Sequence, residues 1–173
     1  ALRTSVEVPA LPGPISLVAG DTTAFVALGP NGVVYHVEAS SVRTSRIEGT
    51  QIQMLHRGPN DVFALGEHVV QRFDGQRWQL VREVPNASLR GLAGTRERVY
   101  AYAQGRDGAT LHVFDGTTWT SVSLPASTPP LVQMAATRHG LFAITPENEV
   151  VRFEEGAFVP ATVRQPAWFD AID

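Results

Sequence analysis

One pattern occurs four times along this 173-residue chain, and it sharply limits the folds open to it. Segments open at Ile15, Ile52, Leu89 and Leu131, spaced by 37, 37 and 42 residues, each with two apolar residues three apart: Ile15/Val18, Ile52/Leu55, Leu89/Leu92 and Leu131/Met134. A fifth opening stands at Phe169/Ile172. Eleven residues after each of the first four starts comes a large apolar residue followed by alanine: Val26-Ala27, Phe63-Ala64, Tyr100-Ala101 and Phe142-Ala143. A small residue at a fixed place in a strand is what close approach between neighbouring sheets demands, because interiors pack at crystal-like density.

A third apolar run follows in each segment: Val33–Val37, Val69–Phe73, Leu111–Phe114 and Val150–Phe153. Three of these runs end in an acidic, glycine-bearing turn, Phe73-Asp74-Gly75, Phe114-Asp115-Gly116 and Phe153-Glu154-Glu155-Gly156. Asp-Gly between apolar runs predicts a hairpin, since glycine tolerates positive φ. Five residues after each Phe stands an aromatic that opens a fourth run: Trp78, Trp119 and Phe158. In the first segment Val37 and Val42 hold these two places, with Glu38 where the Asp would be. Pro-rich turns then lead into the next segment.

Each unit therefore reads as a four-stranded antiparallel meander of about 37 residues, and such units at a constant period predict an all-β chain, a β-propeller. The blades are expected at about 15–47, 52–84, 89–124 and 131–163, forming one propeller domain or part of one over 1–173. Thr4-Ser5-Val6-Glu7-Val8-Pro9 matches Thr120-Ser121-Val122-Ser123-Leu124-Pro125, so lone strands are expected at 3–9 and 168–173. Those pieces leave a fifth blade two strands short. Further blades, a two-stranded blade, or partner chains in a homo-oligomer would each complete the ring, and unpaired strand edges favour association. An immunoglobulin-like sandwich also has short strands with regular turns, but it does not require four self-similar quarters.

The composition fits a packed domain: 43% hydrophobic and 18% charged residues exclude a disordered chain, and 15 Gly with 12 Pro punctuate short segments. The net charge of −3 and singly scattered Arg residues exclude a phosphate-neutralising patch, so no nucleic-acid partner is expected. All 14 basic residues are Arg, which we ascribe to genome composition. With no cysteine, disulfides, thiol nucleophiles and Cys-ligated metals are excluded. No apolar run reaches the ~18 residues of a membrane span. The sequence opens at Ala1 without a signal-type segment, consistent with removal of one by processing or by trimming of the chain. Lack of cysteine suits a cytosol or a bacterial envelope, and an extracytoplasmic location is favoured.

Little in the chain points to catalysis. His36, His56, His68, His112 and His139 fall at different places in different repeats, without zinc-ligand spacing, so surface or edge-strand positions are expected. No nucleophile elbow or phosphate-cradling loop is found, and the recurring Asp74, Asp115 and Glu154 are assigned to turn formation. No cofactor or metal and no enzymatic activity are expected. A hydrolase or lyase would need catalytic groups that converge only in three dimensions.

Phe-Asp-Gly-Gln-Arg-Trp (73–78) and Phe-Asp-Gly-Thr-Thr-Trp (114–119) resemble the short repeats of bacterial and tectonin-type propellers, whose plan kelch and WD repeats share. The WD dipeptide itself is absent, the first repeat lacks Asp-Gly and Trp, and the fourth has Phe158 for Trp. Asp115-Gly116-Thr117-Thr118-Trp119 also resembles the Asp-box of sialidase propellers, one residue short. The resemblance implies a binding scaffold, for a protein partner or, among tectonin relatives, a glycan stacked on residues such as Trp78 and Trp119. In that geometry the loops between second and third strands share one face with the blade connections. The candidate partner-binding residues there are Asn31, Glu67, His68, Arg106, Asp107, Glu147 and Asn148. The stretch Gln104–Gly108, where the third unit exceeds the others, carries most weight.

Overall fold

In a computed structural model, residues 11, 13–20, 24–38, 41–58 and 61–161 are described. They form four antiparallel sheets, each a four-stranded meander in chain order. The first holds β1 (Leu17–Gly20), β2 (Ala24–Leu28), β3 (Val33–Glu38) and β4 (Ser41–Arg46). The second holds β5 (Met54–Arg57), β6 (Val62–Leu65), β7 (Val69–Phe73) and β8 (Trp78–Glu83). In the third are β9 (Ala87–Gly94), β10 (Val99–Gly105), β11 (Gly108–Phe114) and β12 (Trp119–Ser123). The fourth has β13 (Gln133–Thr137), β14 (Gly140–Ile144), β15 (Val150–Glu154) and β16 (Ala157–Pro160). The first strands β1, β5, β9 and β13 adjoin in that order, so the sheets are successive blades of a β-propeller. The strands expected at 3–9 and 168–173 lie outside the described residues.

Each blade has a leading face towards the blade before it and a trailing face towards the blade after it. Because strand side chains alternate between faces, the repeated apolar-Ala pair sends one residue each way. Val26, Leu28 and Val34 on the first blade's trailing face cluster with Val62 and Ala64 on the second blade's leading face. Phe63, Leu65 and Val70 meet Val99, Ala101 and Phe114 in the same manner, and Tyr102 and Leu111 meet Leu141, Ala143 and Val151. The repeated alanine is thus the residue each blade presents to the bulky trailing side chains of its predecessor, and Ala64, Ala101 and Ala143 are all buried. Burying one such aliphatic side chain contributes roughly 1.5–3 kcal/mol.

The inner strands approach closely enough to select glycine. A Cβ at Gly94 on β9 would press into the His56 imidazole on β5, and one at Gly91 would lie 2.9 Å from Met134 Sδ on β13.

The Phe-Asp-Gly corners are the hairpins between third and fourth strands. Asp74 Oδ1 accepts from the backbone N–H groups of Gln76 and Arg77, both at 2.9 Å, and Asp115 Oδ1 from those of Thr117 and Thr118, both at 2.8 Å. Gly75 and Gly116 take φ of 96° and 101°. These backbone bonds hold both carboxyls below the usual carboxylate range. The recurrence of Asp is accounted for by the turn.

The extra length of the third unit does not form a bulging loop. β10 and β11 run on in register to Gly105↔Gly108, leaving Arg106-Asp107 as a two-residue turn, with Gly108 at φ 131°. The insertion lengthens a hairpin and lifts its tip above its neighbours.

Candidate functional site

The loops joining second to third strands lie at one end of equivalent sheets, together with the connections between blades. Their candidate residues are held for different reasons. Asn31 sits in a 3-10 turn, Pro30–Gly32, with φ 56°, and Asn148 has φ 64° in the β14–β15 turn that Thr145 closes on Glu149 at 3.0 Å. Asparagine tolerates this left-handed backbone better than most residues, so both positions serve their turns. Glu147 shares the second turn and is exposed.

At the β6–β7 turn the backbone is sewn to the following connection: Val84 N–H donates to His68 O (2.8 Å) and Leu89 N–H to Glu67 O (2.7 Å). The His68 ring bonds through Nδ1 to Ala87 O at 2.8 Å, which makes Nδ1 the protonated nitrogen, and Glu67 Oε1 lies 3.9 Å from His68 Nε2. Beside this seam the lengthened β10–β11 hairpin rises. His68, Asn86, Ser88, Gln104, Arg106 and Asp107 line a cleft of about 560 Å³. Sequence reasoning placed His68, Arg106 and Asp107 on one face, and the fold brings them to one cleft with Asn86 and Ser88. Asn31, Glu147 and Asn148 stand at other blades and do not line it. Asn86 and Ser88 carry no such signal in the sequence, because their role depends on the lengthened β10–β11 hairpin that rises beside them.

A second cleft, of about 570 Å³, opens between the outer strands of the first two blades, lined by His36, Arg43, Arg46, Gln71, Arg77 and Trp78 among others. Trp78 is half-buried there; its indole N–H donates to Ser45 Oγ (2.9 Å) and its ring packs on Phe73, with centroids 5.3 Å apart. Trp119 instead sits between blades, edge-on to Phe63 with centroids 6.5 Å apart and beside Phe114 at 5.3 Å.

Two histidines depart from the expected surface or edge positions. His36 and His112 are buried on third strands, each at a blade interface. The His36 ring stacks over Phe73 at 4.5 Å, and its Nε2 lies 2.7 Å from Ser45 Oγ. The same hydroxyl oxygen accepts from Trp78, so one serine links the imidazole to the indole of the next blade. Burial, then Arg43 and Arg57, lowers the His36 pKa to about 4, against the opposing pull of Glu38. Arg82 on β8 donates to His112 Nδ1 (3.2 Å) and to Ser121 Oγ (2.8 Å) across the next interface. Burial and then Arg82 lower His112 to about 4 as well. Sequence spacing gave no sign of these placements, because each depends on the blade beside it.

Among the described residues, no group of three His, Asp or Glu is placed to hold a metal ion, and no helix is long and apolar enough to cross a membrane.

No protein-family model matches the chain, and no curated protein matches it. Solved structures do. The computationally designed Ika4 protein aligns at 16% identity over 84% of this chain and 92% of its own, with a TM-score of 0.59. YCF48 from Cyanidioschyzon merolae aligns at 14% identity over 93% of this chain and 60% of its own, with a TM-score of 0.62. A YCF48 bound to D1 peptide aligns at 15% identity over 82% of this chain and 49% of its own, with a TM-score of 0.54. The chain thus spans about half to three-fifths of the length of the YCF48 chains. At these identities the likeness is one of fold, and with four meander sheets joined through their first strands, that fold is a β-propeller.

Proposed function

We propose that this propeller is a non-enzymatic binding scaffold that engages a polypeptide partner through the loop face of its second and third blades. The fold is of a kind used as a protein-interaction scaffold. The observation that carries the reading is the convergence of His68, Asn86, Ser88, Gln104, Arg106 and Asp107 from two blades and their connection on one cleft of about 560 Å³. Its rim offers an exposed cation and an exposed anion on a two-residue turn, with amide and hydroxyl groups beneath, which suits an extended chain carrying both signs of charge. That a YCF48 propeller has been solved with a D1 peptide supports the ligand class.

The test places a photo-crosslinking residue at Asp107 and, as control, at Gln76 on the opposite end of the second sheet. Peptides from one partner should crosslink at Asp107, fail at Gln76, and be lost in Arg106→Ala. Equal crosslinking at both ends, or none, refutes the proposal.

The cleft containing Trp78 favours a second reading, a glycan-binding propeller, because it joins an indole to the amide of Gln71 and to three Arg side chains. A glycan array without signal, or with signal unchanged in Trp78→Ala, removes that reading.

A further inference from the structure

The blade interfaces form a series, and the series has an open end. On β2 and β3 the paired residues Leu28 and Val34 face the second blade; on β6 and β7, Leu65 and Val70 face the third; on β10 and β11, Tyr102 and Leu111 face the fourth. All six are at most 7% exposed. The same pair on β14 and β15 is Ile144 and Val150, and both are 37% exposed. Around them Gln133, Ala135 and Thr137 of β13 are exposed too, while the opposite face of this blade, with Met134, Leu141, Ala143 and Val151, is buried against the third blade.

A second series runs one position further along. The third-strand residue just before the turn's Phe, or before Val37 in the first blade, reaches the Phe of the next blade: the His36 ring lies 4.5 Å from Phe73, and Arg72 Cζ lies 5.4 Å from the Phe114 centroid. Val113 and Phe153 pack against the same third-to-fourth interface cluster. The fourth member is Arg152. Its guanidinium lies back over Phe142 of its own blade, 5.9 Å from the centroid, and pairs with Glu154 at 3.0 Å.

We infer that the trailing face of the fourth blade is a docking face for one more β-blade, which sets an aromatic ring under Arg152 and a small second-strand residue over Ile144 and Val150. Continuity with three established interfaces specifies this occupant. A second copy of the chain does not offer it, because the leading face of the first blade, Ala27, Tyr35 and Val37, is already buried. The surface is separate from the loop cleft, so this inference and the proposed function stand or fall independently. Arg152, poised over Phe142, would exchange that ring for the incoming one, as Arg72 already uses Phe114.

Two arms test it. In the chain as it stands, Ile144→Ser with Val150→Ser should leave the melting temperature nearly unchanged, whereas Leu65→Ser with Val70→Ser should unfold the protein. An equal loss in both pairs means the face is already buried and overturns the inference. In the second arm the chain is extended after Asp173 with its own residues 94–124, which continue the register in which Phe169 corresponds to Leu89. Hydroxyl-radical oxidation of Phe142, Ile144 and Val150 should slow several-fold, to the rates of Leu65 and Val70, and recover in part when the appended copy of Phe114 is replaced by Ala. Unchanged oxidation in the extended chain overturns the inference. So does protection in the unextended chain that grows with protein concentration, which would assign the face to a second copy.

Discussion

Lowering the pH from 7 to 5 should weaken this protein through two histidines at its blade interfaces. The His36 ring is buried against Phe73 with Arg43 and Arg57 nearby, surroundings that disfavour a charged imidazole. His112 Nδ1 faces the Arg82 guanidinium, which can donate only to an unprotonated nitrogen. Both folded pKa values are lowered to about 4 from an ordinary 6.5. The unfolded chain therefore binds more protons than the folded one between those values, and stability falls as pH falls through that window. It is fully present above the unfolded value and exhausted below the folded one. For each histidine the loss from pH 7 to 5 is about 2 kcal/mol, so about 4 kcal/mol for the pair. His56, whose pKa burial also lowers, adds in the same direction. The carboxylates held low at Asp74 and Asp115 stay ionised in this range and do not contribute. Urea unfolding followed by tryptophan fluorescence at pH 7 and 5 measures the difference, and the double variant His36→Gln, His112→Gln supplies the control. The variant should lose most of the pH dependence while remaining folded at pH 5. A wild type equally stable at both pH values, or a variant that weakens as much as the wild type, refutes the assignment of neutral interface imidazoles.

The same interfaces set the mutational profile. Leu65→Ala empties a sealed position between the second and third blades and should cost about 2–5 kcal/mol, whereas Ile144→Ala on the open face should cost well under half of that by chemical denaturation. Gly94→Ala pushes a methyl against the His56 ring at the inner strands, where overpacking costs typically 1–3 kcal/mol, and the loss should shrink in a Gly94→Ala, His56→Ala double variant. Asp115→Ala removes the acceptor for the Thr117 and Thr118 amides, so both should exchange hydrogen faster, with Asp115→Asn retaining most of the protection.

Much of the fold was legible because a propeller writes its packing into a period. The Ala of the Val26-Ala27 type pairs marks the side of a strand that faces the previous blade, and Asp74 and Asp115 mark turns through bonds local in sequence. What the chain did not disclose is whatever two different repeats make together. His36 needs Phe73 and Trp78 of the next blade, His112 needs Arg82 of the previous one, and neither distance along the chain is a motif spacing. The Gln104–Gly108 stretch misled in form for a related reason. Its excess residues looked like a loop, but Thr110, Ala109 and Gly108 pair in register with Ala103, Gln104 and Gly105, so ladder bonding absorbed them.

That distinction ranks the candidate site residues. Asn31 and Asn148 hold left-handed turns and His68 pins the connection at Ala87, so substituting any of them perturbs the scaffold whether or not a partner binds there. A binding defect at these positions would therefore be ambiguous. Arg106 and Asp107 occupy a turn that extends beyond the blade core, exposed, with the backbone bonding completed by Gly105 and Gly108 on either side. Their side chains can be removed at little cost to the ladder beneath. A loss of binding in Arg106→Ala without a change in melting temperature would then report on recognition itself, and this hairpin tip is where the proposed function is most exposed to refutation.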